Sequence, residues 1–253
     1  MRFRDGSGEP LVLLHGLGLS WRSWKPVLGL LSAAHEVLAL DLPGFGSAPV
    51  LPGDPTVAAL ADAVAAELDS AGLGTVAVAG NSLGGSVGLE LARRGRATRV
   101  VVVGPAGMER QAERLGVITL NETQRAVYSA ASSMATYLAS NTGSRTALLG
   151  WLHGRPWNMA PEEAAAEIRD FAGAPGFHAT LRHATGTWAP EELSGIDIPV
   201  RICRGHRDLV IGALSAPRYV AAIPGAEAIT LPGCGHVPMA DDPDAVVAAI
   251  GAA

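Results

Sequence analysis

The sequence predicts an α/β protein: a doubly wound, mostly parallel sheet with an inserted helical cap. Three observations carry that prediction. Short apolar runs alternate with segments of helical spacing through the first hundred or so residues and again near the end. The runs are apolar at nearly every position, as strands covered on both faces must be. Between about Ala106 and Gly195 the alternation stops, and helical patterns stand there without a convincing strand. The pattern divides the chain into a core, residues 1–105 and 196–253, and a cap at 106–195.

In chain order, Pro10–Leu14 is a short apolar run bounded by Gly8 and Gly16, and predicts the first buried strand. The glycine-rich loop His15-Gly16-Leu17-Gly18-Leu19 follows, then a helix over Trp24–Leu31. A second strand at Glu36–Leu40 ends in Asp41-Leu42-Pro43-Gly44-Phe45-Gly46. Thr56 has the chemistry of an N-cap, and Val57, Leu60, Ala61, Val64 and Leu68 mark one face of the helix after it. Thr75–Ala79 predicts a strand that breaks at Gly80-Asn81-Ser82-Leu83-Gly84, with a helix running on to Arg94. Arg99–Val103 is the fourth strand. Within the insertion, helices are expected at Thr123–Ser140, Ser144–Leu152 and Pro161–Phe171, separated by glycine and proline. Strands resume at Val200–Cys203 and Ala226–Leu231, with helices at Leu214–Ile223 and Asp244–Ile250.

Composition narrows the function. The chain has 253 residues, 48% hydrophobic and 17% charged, with a formal net charge of −5 and no run of Lys or Arg. Nucleic acid is not an expected partner, because phosphate binding needs concentrated positive charge. The first residues lack the apolar core of a signal peptide, and no uninterrupted apolar stretch reaches the roughly 18 residues of a membrane helix. The expectation is a cytoplasmic protein with no membrane partner. Cys203 and Cys234, the two cysteines, have neither the number nor the spacing of a metal site or disulfide framework, and read as core packing.

The break after Thr75–Ala79 is where chemistry concentrates. A strand, a sharp turn and a helix with a serine at the apex lift that hydroxyl out of the sheet. The N–H of Leu83 points toward it from the first helical turn. A serine hydroxyl is a weak nucleophile near neutral pH and needs a base, which in turn needs an orienting group. Asp208 follows the strand at Val200–Cys203, and His236 follows the strand at Ala226–Leu231. Loops at the carboxyl ends of parallel strands meet in one crevice, so Ser82, Asp208 and His236 are expected to converge there.

These residues give the chain a resemblance to the α/β-hydrolase family. His-Gly-x-Gly stands at 15–18, Asp-x-Pro-Gly-x-Gly at 41–46, Gly-x-Ser-x-Gly at 80–84, Gly-x-x-Asp at 205–208 and Gly-x-Gly-His-x-Pro at 233–238. The resemblance implies Ser82 as nucleophile, Asp208 as acid and His236 as base. It also implies an oxyanion hole formed by the backbone N–H groups of Leu17 and Leu83. No metal or organic cofactor is required by that scheme. Few residues precede His15, where the family often carries a hairpin, so the first edge of the sheet is expected to be short.

Other polar residues take structural readings. His15 reads as a hydrogen-bonding residue of its loop, His206 as a neighbour of the acid loop and His35 as solvent-exposed. His153, His178 and His183 fall in the insertion, where any one could touch substrate. Asp41 reads as shaping its own loop, and Asp241 and Asp242, before Pro243, as helix caps. Tyr128, Met134, Tyr137, Trp151, Trp157, Met159, Phe171, Phe177 and Trp188 read as packing of the insertion, with two or three facing the pocket. Arg145, Arg155 and Arg182 read as solvated surface residues by default.

The expected function is a serine hydrolase of a small, fairly apolar ester, lactone or thioester, acting through an acyl-enzyme. The sequence also bears some similarity to carbon–carbon bond hydrolases of vinylogous diketones, at Gly80-Asn81-Ser82, Gly104-Pro105-Ala106-Gly107 and Cys234-Gly235-His236. Val237 departs from that subgroup's tryptophan. A perhydrolase, a lyase and a non-catalytic ligand-binding protein on the same fold remain as further readings. Haloalkane dehalogenases and epoxide hydrolases are excluded, because they carry aspartate where Ser82 stands. The sequence leaves the oligomeric state open.

Overall fold

The computed structural model describes residues 2–184 and 190–251. Seven strands form one sheet: β1 (Arg2–Asp5), β2 (Glu9–Leu14), β3 (His35–Leu40), β4 (Val76–Asn81), β5 (Ala97–Val103), β6 (Val200–Gly205) and β7 (Glu227–Leu231). Their spatial order is β1-β3-β2-β4-β5-β6-β7, with β1 antiparallel to β3 and every other pair parallel. β4 lies mid-sheet and is buried along its whole length, as the Val/Ala run of Val76–Ala79 demands.

β1 is the strand that sequence pattern alone does not reveal. Three of its four residues are charged, so no apolar run marks it. It holds its edge position by pairing Arg2–Asp5 with Val37–Leu40 and by stacking Phe3 on Trp21 at 5.9 Å. The short first edge is otherwise as expected.

Helices α1 (Lys25–Ser32), α2 (Val57–Ser70) and α3 (Leu83–Arg93) follow the first strands. The Thr56 hydroxyl caps α2 by accepting the N–H of Ala59 at 3.2 Å. α4 (Gln111–Ala131), α5 (Ala135–Ser140), α6 (Thr142–Leu149), α7 (Pro161–Gly173), α8 (Phe177–Ala184) and α9 (Pro190–Leu193) all lie between β5 and β6, with no strand among the described residues of that stretch. α10 (Ser215–Ala222) and α11 (Pro243–Gly251) complete the chain. α2 packs on α3 and α1 packs on α11, giving the sheet two helix layers.

Two expectations for the insertion need correction. The helix expected at Thr123–Ser140 is two: α4 begins twelve residues earlier, at Gln111, where Glu113 accepts the N–H of Arg110 at 2.8 Å, and ends at Ala131, and α5 follows separately. α8 and α9 were not anticipated: each is short, and Gly and Pro on either side obscure their periodicity. Trp188 lies outside the described residues. No helix among them is long and apolar enough to cross a membrane.

Candidate active site

Ser82 occupies the turn between β4 and α3 at φ 52° and ψ −113°. Among the described residues it is the one non-glycine with positive φ. Holding such a conformation costs on the order of 1–3 kcal/mol and persists only where the surroundings enforce it. They do so by crowding. A Cβ on Gly80 would run into the Gly84 carbonyl, and one on Gly84 would run into the Leu14 carbonyl. Strand and helix thus approach closely enough to fold the serine outward.

Asp208 and His236 meet as the order of strands requires. His236 Nδ1 lies 2.9 Å from Asp208 Oδ2, and both side chains are almost wholly buried. A carboxylate can only accept, so Nδ1 is the donor of this pair, and in the neutral ring Nε2 is the acceptor. Burial alone would raise the pKa of Asp208. The charge and hydrogen bond of His236, with the N–H groups of Ile211 and Val210, outweigh it and keep the carboxylate below its ordinary value. Those two N–H groups reach Asp208 Oδ1 at 2.9 Å each.

Ser82, His236, Leu17 and Leu83 line one cavity of about 50 Å³. The Ser82 hydroxyl has no hydrogen-bond partner among the described residues, the His236 ring included. Nor does any protein acceptor among them take the N–H of Leu17 or Leu83. The rest of the wall is mostly aliphatic: Leu19, Val117, Leu152, Leu181, Val210, Ile211 and Val237. Asn121 and Thr180 are its buried polar members from the insertion, and the Thr180 hydroxyl has no partner among the described residues. None of the described aromatic residues of the insertion lines this cavity, contrary to the expectation that two or three would. Tyr128, Trp151, Phe171 and Phe177 instead pack ring against ring, while Met134, Tyr137 and Trp157 are exposed.

Two positioning groups escaped the sequence reading. Asn81 Nδ2 donates to the carbonyls of Val103 at 3.0 Å and His236 at 2.9 Å, tying the serine turn to the histidine loop. Asp241 was expected to cap a helix. It is buried, and its carboxylate accepts the N–H groups of Gly154, Arg155 and Gly235, each at 2.7 Å. It therefore fastens the His236 loop to the insertion, and Asp242 alone caps α11 through Ala245. No periodicity marks Asp241, because two of its three partners come from a loop more than eighty residues away.

The remaining candidates fall into place around these. His15 spans two loops, with Nδ1 at 2.7 Å from the Gly16 carbonyl and Nε2 accepting the Leu42 N–H at 2.9 Å. Burial lowers its pKa to about 4, against the opposing pull of that carbonyl and Asp41, so it stays neutral. Asp41 holds its own loop through Trp21 and Ser47. His206 is exposed, and His35 is half-buried rather than exposed. His153 is buried against Glu167 at 2.9 Å, away from Ser82. His178 and His183 pair with Glu122 and Asp54 at the surface. Arg145 is buried and donates to the carbonyls of Ala139, Pro156 and Trp157. Arg155 pairs with Asp242 and donates to the Asp241 and Pro232 carbonyls. Both are structural rather than solvated. Burial pushes the Cys203 thiol up to about 12 and the Cys234 thiol up to about 11, which leaves both inert.

Sequence comparison shows the family to which the chain belongs. A model of the alpha/beta hydrolase family matches residues 11–249. The chain belongs to the alpha/beta hydrolase family. It is a hydrolase. It is 28% identical over 254 residues to an uncharacterized protein of Mycobacterium tuberculosis, covering 94% of this chain and 73% of that one. Among solved structures, esterase RhEst1 from Rhodococcus sp. ECU1013 superposes with TM-score 0.80 at 26% identity, over 99% of the hydrolase and 92% of that chain. The enol-lactonase from Burkholderia xenovorans LB400 shares the fold, with TM-score 0.79 at 22% identity over 100% and 96% of the two chains.

Proposed function

We propose that the hydrolase cleaves a small, fairly apolar ester, lactone or thioester through a Ser82 acyl-enzyme. The observation that carries this reading is the buried Asp208–His236 pair opening into the cavity that Ser82 lines. The similarity to the Rhodococcus esterase supports it.

In this mechanism, rotation about the Ser82 Cα–Cβ bond brings Oγ to His236 Nε2 as substrate seats, a contact that apo enzymes often leave unmade. Nε2 takes the hydroxyl proton while Oγ attacks the acyl carbon. Asp208 keeps the ring tautomer and stabilises the imidazolium. The negative charge passing to the carbonyl oxygen meets the two free N–H groups of Leu17 and Leu83, each worth roughly 3 kcal/mol in this role. His236 then protonates the leaving group, and water retraces the path to free the acid. No cofactor enters the scheme. The helices between β5 and β6 act as a lid, since Val117, Asn121, Thr180 and Leu181 close the cavity from above. Steady-state turnover of short p-nitrophenyl esters tests the reading. Sustained hydrolysis supports it, and at most one equivalent of product released would indicate a binding protein instead.

A further inference from the structure

A cavity of about 50 Å³ holds about three or four water-sized groups, far less than the roughly 300–1,000 Å³ of a typical ligand site. Substrate must therefore extend into adjoining space. Two further cavities, each of about 340 Å³, border this one. The first, at the seam between Trp21–Trp24 and α7, shares only Leu19 with it. The second is a groove between α4 and the loop after β6, and shares Glu109, Val117, Val210 and Ile211. The groove therefore has more wall in common with the Ser82 cavity than the seam does, and lies directly beside it.

Its walls suit a hydrocarbon. Val117 and Leu120 of α4 face Leu209, Val210 and Ile211 across it, and Leu209 is 68% exposed at the lip. The charged members are already committed: the Glu109 carboxylate accepts the Gly107 N–H, and Glu113 pairs with Arg218. Gly116 stands inside α4 on the groove wall, where a Cβ would meet nothing. Glycine weakens a helix interior. Here, where no backbone crowding calls for it, it leaves the groove unfilled.

Direction follows from the pair that protonates the leaving group. Val210 and Ile211, whose N–H groups hold Asp208, also line both the cavity and the groove. The groove thus begins on the Asp208–His236 side, where the departing oxygen must collect its proton. Resting on the ester-cleaving reading above, we propose that the α4 groove is the leaving-group subsite, and that the substrates are short-chain acyl esters of larger apolar alcohols.

The test uses two ester series and two filled variants. Along alkyl acetates from methyl to hexyl, wild-type kcat/KM rises by roughly tenfold or more. Along methyl alkanoates from acetate to hexanoate it falls, because the longer acyl group does not fit the small cavity. Gly116→Phe on one wall and Gly212→Phe on the other, both at positions open to an added side chain, remove most of the rise along the acetates. A wild-type rise along the acyl series instead, or a rise along the acetates that survives in both folded variants, overturns the subsite alone. No turnover of any ester in either series overturns the ester-cleaving reading, and the subsite with it.

Discussion

On the core side of the cavity, Ser82, Leu83 and His236 sit where backbone geometry leaves few alternatives. On the opposite side, Val117, Asn121, Thr180 and Leu181 reach the same space from two helices of the insertion. The first set depends on residues that cannot be exchanged: glycines without room for a Cβ, a serine at positive φ, a histidine paired to a buried carboxylate. The second depends on two aliphatic and two small polar side chains, placed by packing. The comparison teaches that the reaction is constrained by chemistry at fixed points, whereas specificity is a matter of shape.

The largest effects should come from the fixed points. Ser82→Ala and His236→Ala each lower kcat by about a thousandfold or more, and the double variant is little worse than either, because nucleophile and base act as a unit. Circular dichroism should show both folded. Independent, multiplying losses would break the comparison. Asp208→Asn presents the wrong donor to Nδ1 and costs somewhat less, roughly a hundredfold to ten-thousandfold in kcat.

Asp241 sharpens the boundary, since it belongs to the core yet grips the insertion. Asp241→Ala removes the acceptor for three buried N–H groups. The His236 loop then loosens, and kcat falls roughly ten- to hundredfold with a smaller change in KM. Asp241→Asn, which keeps an oxygen acceptor, recovers part of it in the same assay. A loss carried wholly by KM would place Asp241 with the specificity side instead.

His15 gives the smallest and most selective readout. Its folded pKa of about 4 lies below the ordinary 6.5. The unfolded chain gains this proton near pH 6.5 and the folded chain does not, so stability is full above that pH, falls as pH drops toward 4 and levels off below. The loss is on the order of 3 kcal/mol. Denaturant titrations at pH 7 and pH 5 should show a steeper decline for wild type than for His15→Asn, which does not titrate in this range.

The same contrast explains what was legible in the sequence. The parallel strands are written as apolar runs, and the five glycine-bearing motifs mark the loops at their ends, so the fold could be read directly and Ser82, Asp208 and His236 picked out as candidates. β1 could not, because an edge strand with charged Arg2, Arg4 and Asp5 carries no apolar run. Asp241 looked like a cap because a carboxylate before proline usually is one, and its partners Gly154 and Arg155 lie far off in sequence. The aromatic residues of the insertion suggested a pocket lining, but their size serves packing against one another better than a cavity this small. Helical periodicity identifies a buried face without saying what it is buried against.

The account rests on Ser82 Oγ as the attacking atom. Treatment with a fluorophosphonate followed by peptide mass spectrometry tests this most directly. The prediction is one phosphonyl group per chain, on the peptide containing Ser82, absent from Ser82→Ala and strongly slowed in His236→Ala. A wild-type protein that hydrolyses esters yet stays unlabelled, or carries the label on another residue, would contradict it.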